Sequence, residues 1–241
     1  MADTHVRNLA EEAAFQWGLF TEAQAEKLGV SRGRLDILLE DGQVQSADAK
    51  HVYRFAGAPV DAMLDALRTQ WLALRPDRFL RERLRGMRDG RWDTAIVSHV
   101  SAACLVHDLG TLTPHALDFT VTGRSDLIIS HPDYYVRSAV PEWQSIDGLP
   151  VTTIPQTIAD LHAENVDYGH IGDVIYDALM RSCVDFRSIS EALDAVTERS
   201  GRETMLHMLN VIGAPRDVVE ALELVSQRNW QHGNWPAKGR N

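Results

Sequence analysis

Three sets of residues in this 241-residue chain are of types and spacings that do chemistry on nucleic acid. The first is Ser31, Arg32, Gly33 and Arg34, at the predicted start of a helix. Guanidinium groups placed there can bond bidentately to a guanine edge or to phosphate, and the glycine between them lets the backbone come close. The second is Lys50, His51, Tyr53 and Arg54, all donors suited to phosphate oxygens. The third is Arg75, Arg78, Arg81, Arg83, Arg85 and Arg88. With Arg91 these make seven arginines against three acids, Asp77, Glu82 and Asp89. This cluster reads as a basic arm along a DNA backbone, as a dock for an acidic partner, or as a solvated helix face with internal ion pairs.

Other chemistries find less support. His99, His107, His115 and His131 with Asp108, Asp118 and Asp133 invite a metal or hydrolytic reading, but the chain has no HExxH, no His-x-His pair and no Asp followed by Glu-x-Lys. Ser98 and Ser101 stand where serine caps a helix. Gly110, Gly123 and Gly148 each stand alone, so no phosphate-cradling loop is present. The expectation is a protein that is not an enzyme, with no catalytic residue, metal or cofactor. Cys104 and Cys183 lie in apolar-periodic stretches and are expected as buried free thiols.

The elements that must position these residues follow from periodicity and caps. Val6, Leu9, Ala10, Ala13, Ala14 and Trp17 predict an amphipathic helix ended by Gly18. Thr21 and Gln24 form a capping box for a second helix ending at Gly29. Ser31 then caps a third, with Leu35, Leu38 and Leu39 on its apolar side. Two short capped helices joined by a glycine-containing turn are the helix-turn-helix signature, and the strand pair predicted at 43–46 and 51–55 adds a wing. From Pro59 to Arg91 the pattern is helical, broken at Pro76, Gly86 and Gly90. Beyond Trp92, strands are expected at 94–97, 119–122, 127–130, 134–137 and 149–153, with a helix over 98–108. Further helices follow from Ile154, and the tail Asn229–Asn241 is expected to be loosely ordered or bound to a partner.

The predicted architecture is therefore α+β: an N-terminal winged helix-turn-helix over 1–58, a connecting helix and basic arm over 59–91, and a larger mixed domain over 92–241. That larger domain combines a small, mainly antiparallel sheet with C-terminal helices. The formal net charge is −10, the wrong sign for a protein that coats nucleic acid indiscriminately. Residues 1–57 carry six basic and nine acidic side chains, so any DNA contact must be local. No apolar run is long enough to span a bilayer and the N-terminus lacks a signal peptide's regions, so a cytoplasmic protein with no membrane partner is expected.

Three segments carry a family resemblance. The run Phe20-Thr21-Glu22-Ala23-Gln24-Ala25 through Leu28-Gly29-Val30-Ser31-Arg32-Gly33-Arg34-Leu35 to Val52-Tyr53-Arg54-Phe55-Ala56-Gly57-Ala58-Pro59 resembles the N-terminal domain of AbiEi-family antitoxins. Val97-Ser98-His99-Val100-Ser101-Ala102-Ala103 through His107-Asp108-Leu109-Gly110 and Asp147-Gly148-Leu149-Pro150-Val151-Thr152-Thr153-Ile154-Pro155 to Leu161 are similar to later segments of that family. The resemblance implies an antitoxin of a toxin–antitoxin system. Its winged helix would bind double-stranded operator DNA and repress its own operon, and the protein would oppose a co-encoded nucleotidyltransferase-like toxin. Three alternatives stay open: a winged-helix module that binds protein, a stand-alone regulator without a toxin, and a hydrolase using the histidine-rich middle segment.

Overall fold

The computed structural model describes residues 2–91, 94–122 and 134–231. The architecture is α+β, and its contacts divide the chain into two units. Unit 1 takes residues 1–95, 120–140 and 147–150; unit 2 takes 96–119, 141–146 and 151–241.

Unit 1 opens with α1 (Ala2–Ala14), which buries Leu9 and Ala13. The chain then turns through Trp17 and Gly18, both at positive φ, into β1 (Leu19–Thr21). This strand was not expected. It is only three residues long, and what holds it is pairing with β3 (Val52–Phe55), with Leu19 opposite Arg54 and Thr21 opposite Val52. Thr21 also caps α2 (Glu22–Lys27) through the expected capping box with Gln24. The turn to the next helix passes through Gly29 at φ +83°, where an added Cβ would meet the His5 ring at 2.8 Å, so both its backbone and its surroundings select glycine. Ser31 caps α3 (Arg32–Glu40), accepting from the Arg34 amide. β2 (Val44–Ser46) completes an antiparallel sheet in the order β1-β3-β2. Leu9, Phe20, Ala25, Val30, Leu35, Leu38, Val44 and Tyr53 form the core beneath it.

The segment read as a connecting helix and arm belongs to this same unit. It forms α4 (Asp65–Leu74) and α5 (Leu80–Arg88), with the break at Pro76 as expected. Gly86 does not break the helix; it is buried within α5. Two buried amides tie the first twenty-five residues to this segment. Gln16 donates to Gln24 Oε1 at 2.7 Å and accepts from the Leu80 amide at 3.1 Å, while Gln24 Nε2 donates to the Arg78 carbonyl at 2.8 Å.

A second sheet has the order β6-β5-β4-β8-β7, built from β4 (Ile96–Val97), β5 (Phe119–Thr122), β6 (Tyr134–Arg137), β7 (Trp143–Ile146) and β8 (Leu149–Thr152). It is mixed rather than mainly antiparallel, because β4 and β8 pair in parallel through Val97 and Val151. The strand expected at 127–130 lies outside the described residues. β7 went unpredicted because Trp143-Gln144-Ser145-Ile146 does not alternate cleanly. The helix expected over 98–108 is instead a short turn, α6 (His99–Ser101), that runs into a π-helical stretch, Ala102–Val106. Unit 2 is completed by α7 (Ile154–Ala163), α8 (Tyr168–Met180), α9 (Phe186–Asp194), α10 (Gly201–Val211) and α11 (Arg216–Gln231). Ile158, Leu161, Ile171, Val174, Ile175, Ile189, Leu193, Met205 and Met208 form its core. Among the described residues no helix is long and apolar enough to cross a membrane.

Candidate nucleic-acid interface

The N-terminus of α3 is open to solvent. Ser31, Arg32 and Gly33 are exposed and Arg34 is half-buried, with its Nε lacking a hydrogen-bond partner. A Cβ added at Gly33 would meet nothing within 4 Å, so packing does not require glycine there. The loop between β2 and β3 carries Lys50 and His51, both exposed.

Arg32 and His51 converge on one carboxylate that the sequence reading passed over. Glu22 Oε2 lies 2.7 Å from an Arg32 guanidinium nitrogen and 2.7 Å from His51 Nδ1. Arg32 also donates to the Tyr53 hydroxyl at 3.1 Å and to Asp36 at 3.0 Å. The Arg32 hydrogen bond, with help from His51, holds the Glu22 carboxyl below the usual glutamate range despite partial burial. The Asp36 pairing has an i,i+4 spacing that sequence can reveal. The Glu22 pairing does not, because ten residues and a helix–helix turn separate Glu22 from Arg32.

The other expected contacts divide by burial. Tyr53 is 6% exposed; its ring stacks on Phe20 in the core, and its hydroxyl accepts from Arg32. Arg54 is turned inward. It is 8% exposed, pairs with Asp65 at 2.6 Å and donates to the carbonyls of Trp17 and Pro59. This removes it from any solvent-facing set. In the arginine cluster, Arg83 is likewise interior, donating to Thr94 Oγ1 at 2.8 Å and to the Trp71 carbonyl at 2.6 Å beneath the Trp71 ring. Arg75 and Arg78 lie beside Asp77. Arg81, Arg85 and Arg88 are exposed at i, i+4 and i+7 on one side of α5, with Arg81 held by Glu12 and stacked on Phe15.

No family model matches the chain, and no curated protein matches it in sequence. Among solved structures, the crystal structure of the RV2827C protein from Mycobacterium tuberculosis is similar at 14% identity, covering 92% of this chain and 81% of that one, with a TM-score of 0.47. That likeness is too remote to carry a functional inference.

The histidines and acids of the middle segment are dispersed. His99 bonds Ser98, His107 bonds the Thr152 carbonyl, Asp118 holds the amide and hydroxyl of Ser101, and Asp108 pairs with Arg181. Among the described residues no group of three or more His, Cys, Asp or Glu could hold a metal; His131 and Asp133 lie outside them. Burial lowers the His107 pKa. Burial, aided by Asp118, pushes the Cys104 thiol up to about 11. Cys104 is half-buried, but Cys183, expected inside, is exposed in the turn after α8, where its sulfur faces the Arg181 carbonyl.

Proposed function

We propose that residues 1–58 form a winged helix-turn-helix that binds double-stranded operator DNA, and that the protein is the antitoxin-type repressor of a toxin–antitoxin pair rather than an enzyme. The observation that carries the DNA reading is the exposed start of α3, bearing Ser31, Arg32, Gly33 and Arg34, tied through Glu22 to the exposed loop bearing Lys50 and His51. In winged-helix proteins the second helix of the motif enters the major groove with its N-terminal residues at base edges, while the wing follows the backbone. Arg32 and Arg34 then meet guanine or phosphate, and Lys50 and His51 meet phosphate. Arg85 and Arg88 offer a second phosphate-facing stripe. The antitoxin half of the reading, including a nucleotidyltransferase-like toxin as partner, is supported by the three sequence segments that resemble AbiEi-family antitoxins.

The test is a gel-shift titration of the full chain against its own upstream region at two salt concentrations, with unrelated DNA as competitor. Specific, salt-sensitive retardation is expected, and replacing Arg32 and Arg34 together with alanine is expected to abolish it. A second reading, a protein-binding winged helix, draws on the Glu22 and Asp36 carboxylates against Arg32 and on the acidic excess in residues 1–57. Unchanged mobility of every upstream fragment would favour it. A stand-alone regulator is distinguished by the lack of a neighbouring nucleotidyltransferase gene.

A further inference from the structure

The groups expected to meet DNA are already engaged. Glu22 opens α2, and its carboxylate accepts from Arg32 and His51 at 2.7 Å each. Its own amide donates to the His51 carbonyl at 3.0 Å, so one residue fixes the hairpin loop through main chain and side chain together. His51 has a φ of +60°, a left-handed conformation that a non-glycine residue keeps only where its surroundings determine it. The Glu22 side chain is 22% exposed against 48% for Arg32 and 55% for His51. The anion thus lies behind the two donors, and Asp36 engages the Arg32 Nε at 3.0 Å.

A carboxylate oxygen that accepts from two such donors does what a non-bridging phosphate oxygen does at a protein–DNA contact. A phosphate that reaches Arg32 or His51 must displace Glu22 and then sit beside its charge. Random-sequence DNA offers phosphates alone, so it exchanges one anion for another with little gain. A cognate site adds base-edge contacts that offset the displacement. Resting on the reading that this face binds DNA, we propose that Glu22 is an internal phosphate mimic that sets its specificity, suppressing binding to non-cognate duplex more than binding to the operator.

The experiment titrates the full-length chain and its Glu22→Gln variant, by fluorescence anisotropy over a salt series, with a random-sequence duplex and with the chain's own upstream region. The variant is expected to bind the random duplex about tenfold more tightly, the scale of one charge-assisted contact. Its salt dependence steepens by about one phosphate neutralised, and the ratio of upstream to random affinity falls. Adding Arg32→Ala to Glu22→Gln removes most of the gain, while Glu22→Asp, which keeps the charge, stays near the parent. Because misfolding does not tighten binding, a gain is not a structural artefact.

Unchanged or weaker binding of the random duplex by Glu22→Gln, with the parent still binding its upstream region, overturns the mimic and leaves the DNA reading intact. A gain undiminished by Arg32→Ala, or matched by Glu22→Asp, also overturns it. If no variant binds any DNA, both fall together.

Discussion

Arginine has opposite consequences in this chain depending on what surrounds it. The Arg54 and Asp65 side chains are each 10% exposed and 2.6 Å apart. Arg54→Ala leaves Asp65 only the longer contact to Arg68, at 3.4 Å, and the Asp61 amide, and is expected to cost about 2 kcal/mol of stability, read from the denaturant midpoint. Lys50→Ala, at an exposed position, is expected to leave stability within about 0.5 kcal/mol. On the DNA-binding reading, it flattens the salt dependence of binding by about one phosphate. Glu22 adds a pH dependence whose sign follows from its lowered pKa, set first by the Arg32 hydrogen bond. A carboxyl depressed in the folded state contributes stability that is complete above the ordinary glutamate range and is lost as pH falls through the folded value. Chemical denaturation between about pH 6 and pH 3 is therefore expected to show a shallower decline for Glu22→Gln than for the parent. At this scale the sequence made the residue types legible but not their directions. Val52-Tyr53-Arg54-Phe55 gives no hint that Arg54 turns in, because its partner, Asp65, comes from a helix eleven residues on.

Elements were legible wherever the signal is local. Thr21 with Gln24 and Ser31 ahead of α3 announce helix starts because the capping donors and acceptors lie within three residues of one another. β1 was not legible: Leu19, Phe20 and Thr21 are all buried, and only the distant β3 makes them a strand. The parallel pairing of β4 with β8 joins residues more than fifty positions apart and leaves no local trace. α3 supplies a test of its own. Gly33 is helical, exposed and uncrowded, so Gly33→Ala is expected to stabilise the fold by roughly 0.5 kcal/mol through helix propensity alone. If α3 lies in a major groove, the same change weakens DNA binding by obstructing backbone approach. A thermal melt and an anisotropy titration on the one variant separate the two effects; equal or better binding would remove Gly33 from the contact surface.

On the scale of the whole molecule, a boundary drawn after residue 58 cuts through a set of buried polar contacts. Gln16, Gln24 and Arg54 have partners at Leu80, Arg78 and Asp65, all inside unit 1. A fragment of residues 1–58 exposes or orphans each of them. Because a buried polar group left unsatisfied costs about 1–3 kcal/mol, that fragment is expected to melt well below full-length protein, or not to fold, in circular dichroism. The two capped helices and the hairpin of 1–58 could be read because their signals are short-range. The dependence on 65–80 could not, since glutamine in a helix usually signals exposure and nothing local marks Gln16 and Gln24 as buried.

The two units are interleaved along the chain, which passes from one to the other five times, the last at residue 151 into unit 2. This has a temporal side. The Trp17 indole donates to the Asp147 carbonyl at 2.6 Å, so a residue near the beginning waits for one synthesised 130 positions later. A ribosome that has emitted only the first hundred residues has produced α1 through α5 but not residues 120–140 and 147–150, which complete unit 1. The N-terminal half is therefore expected to complete its contacts only late in translation, and a chain terminated before residue 147 lacks part of the first unit.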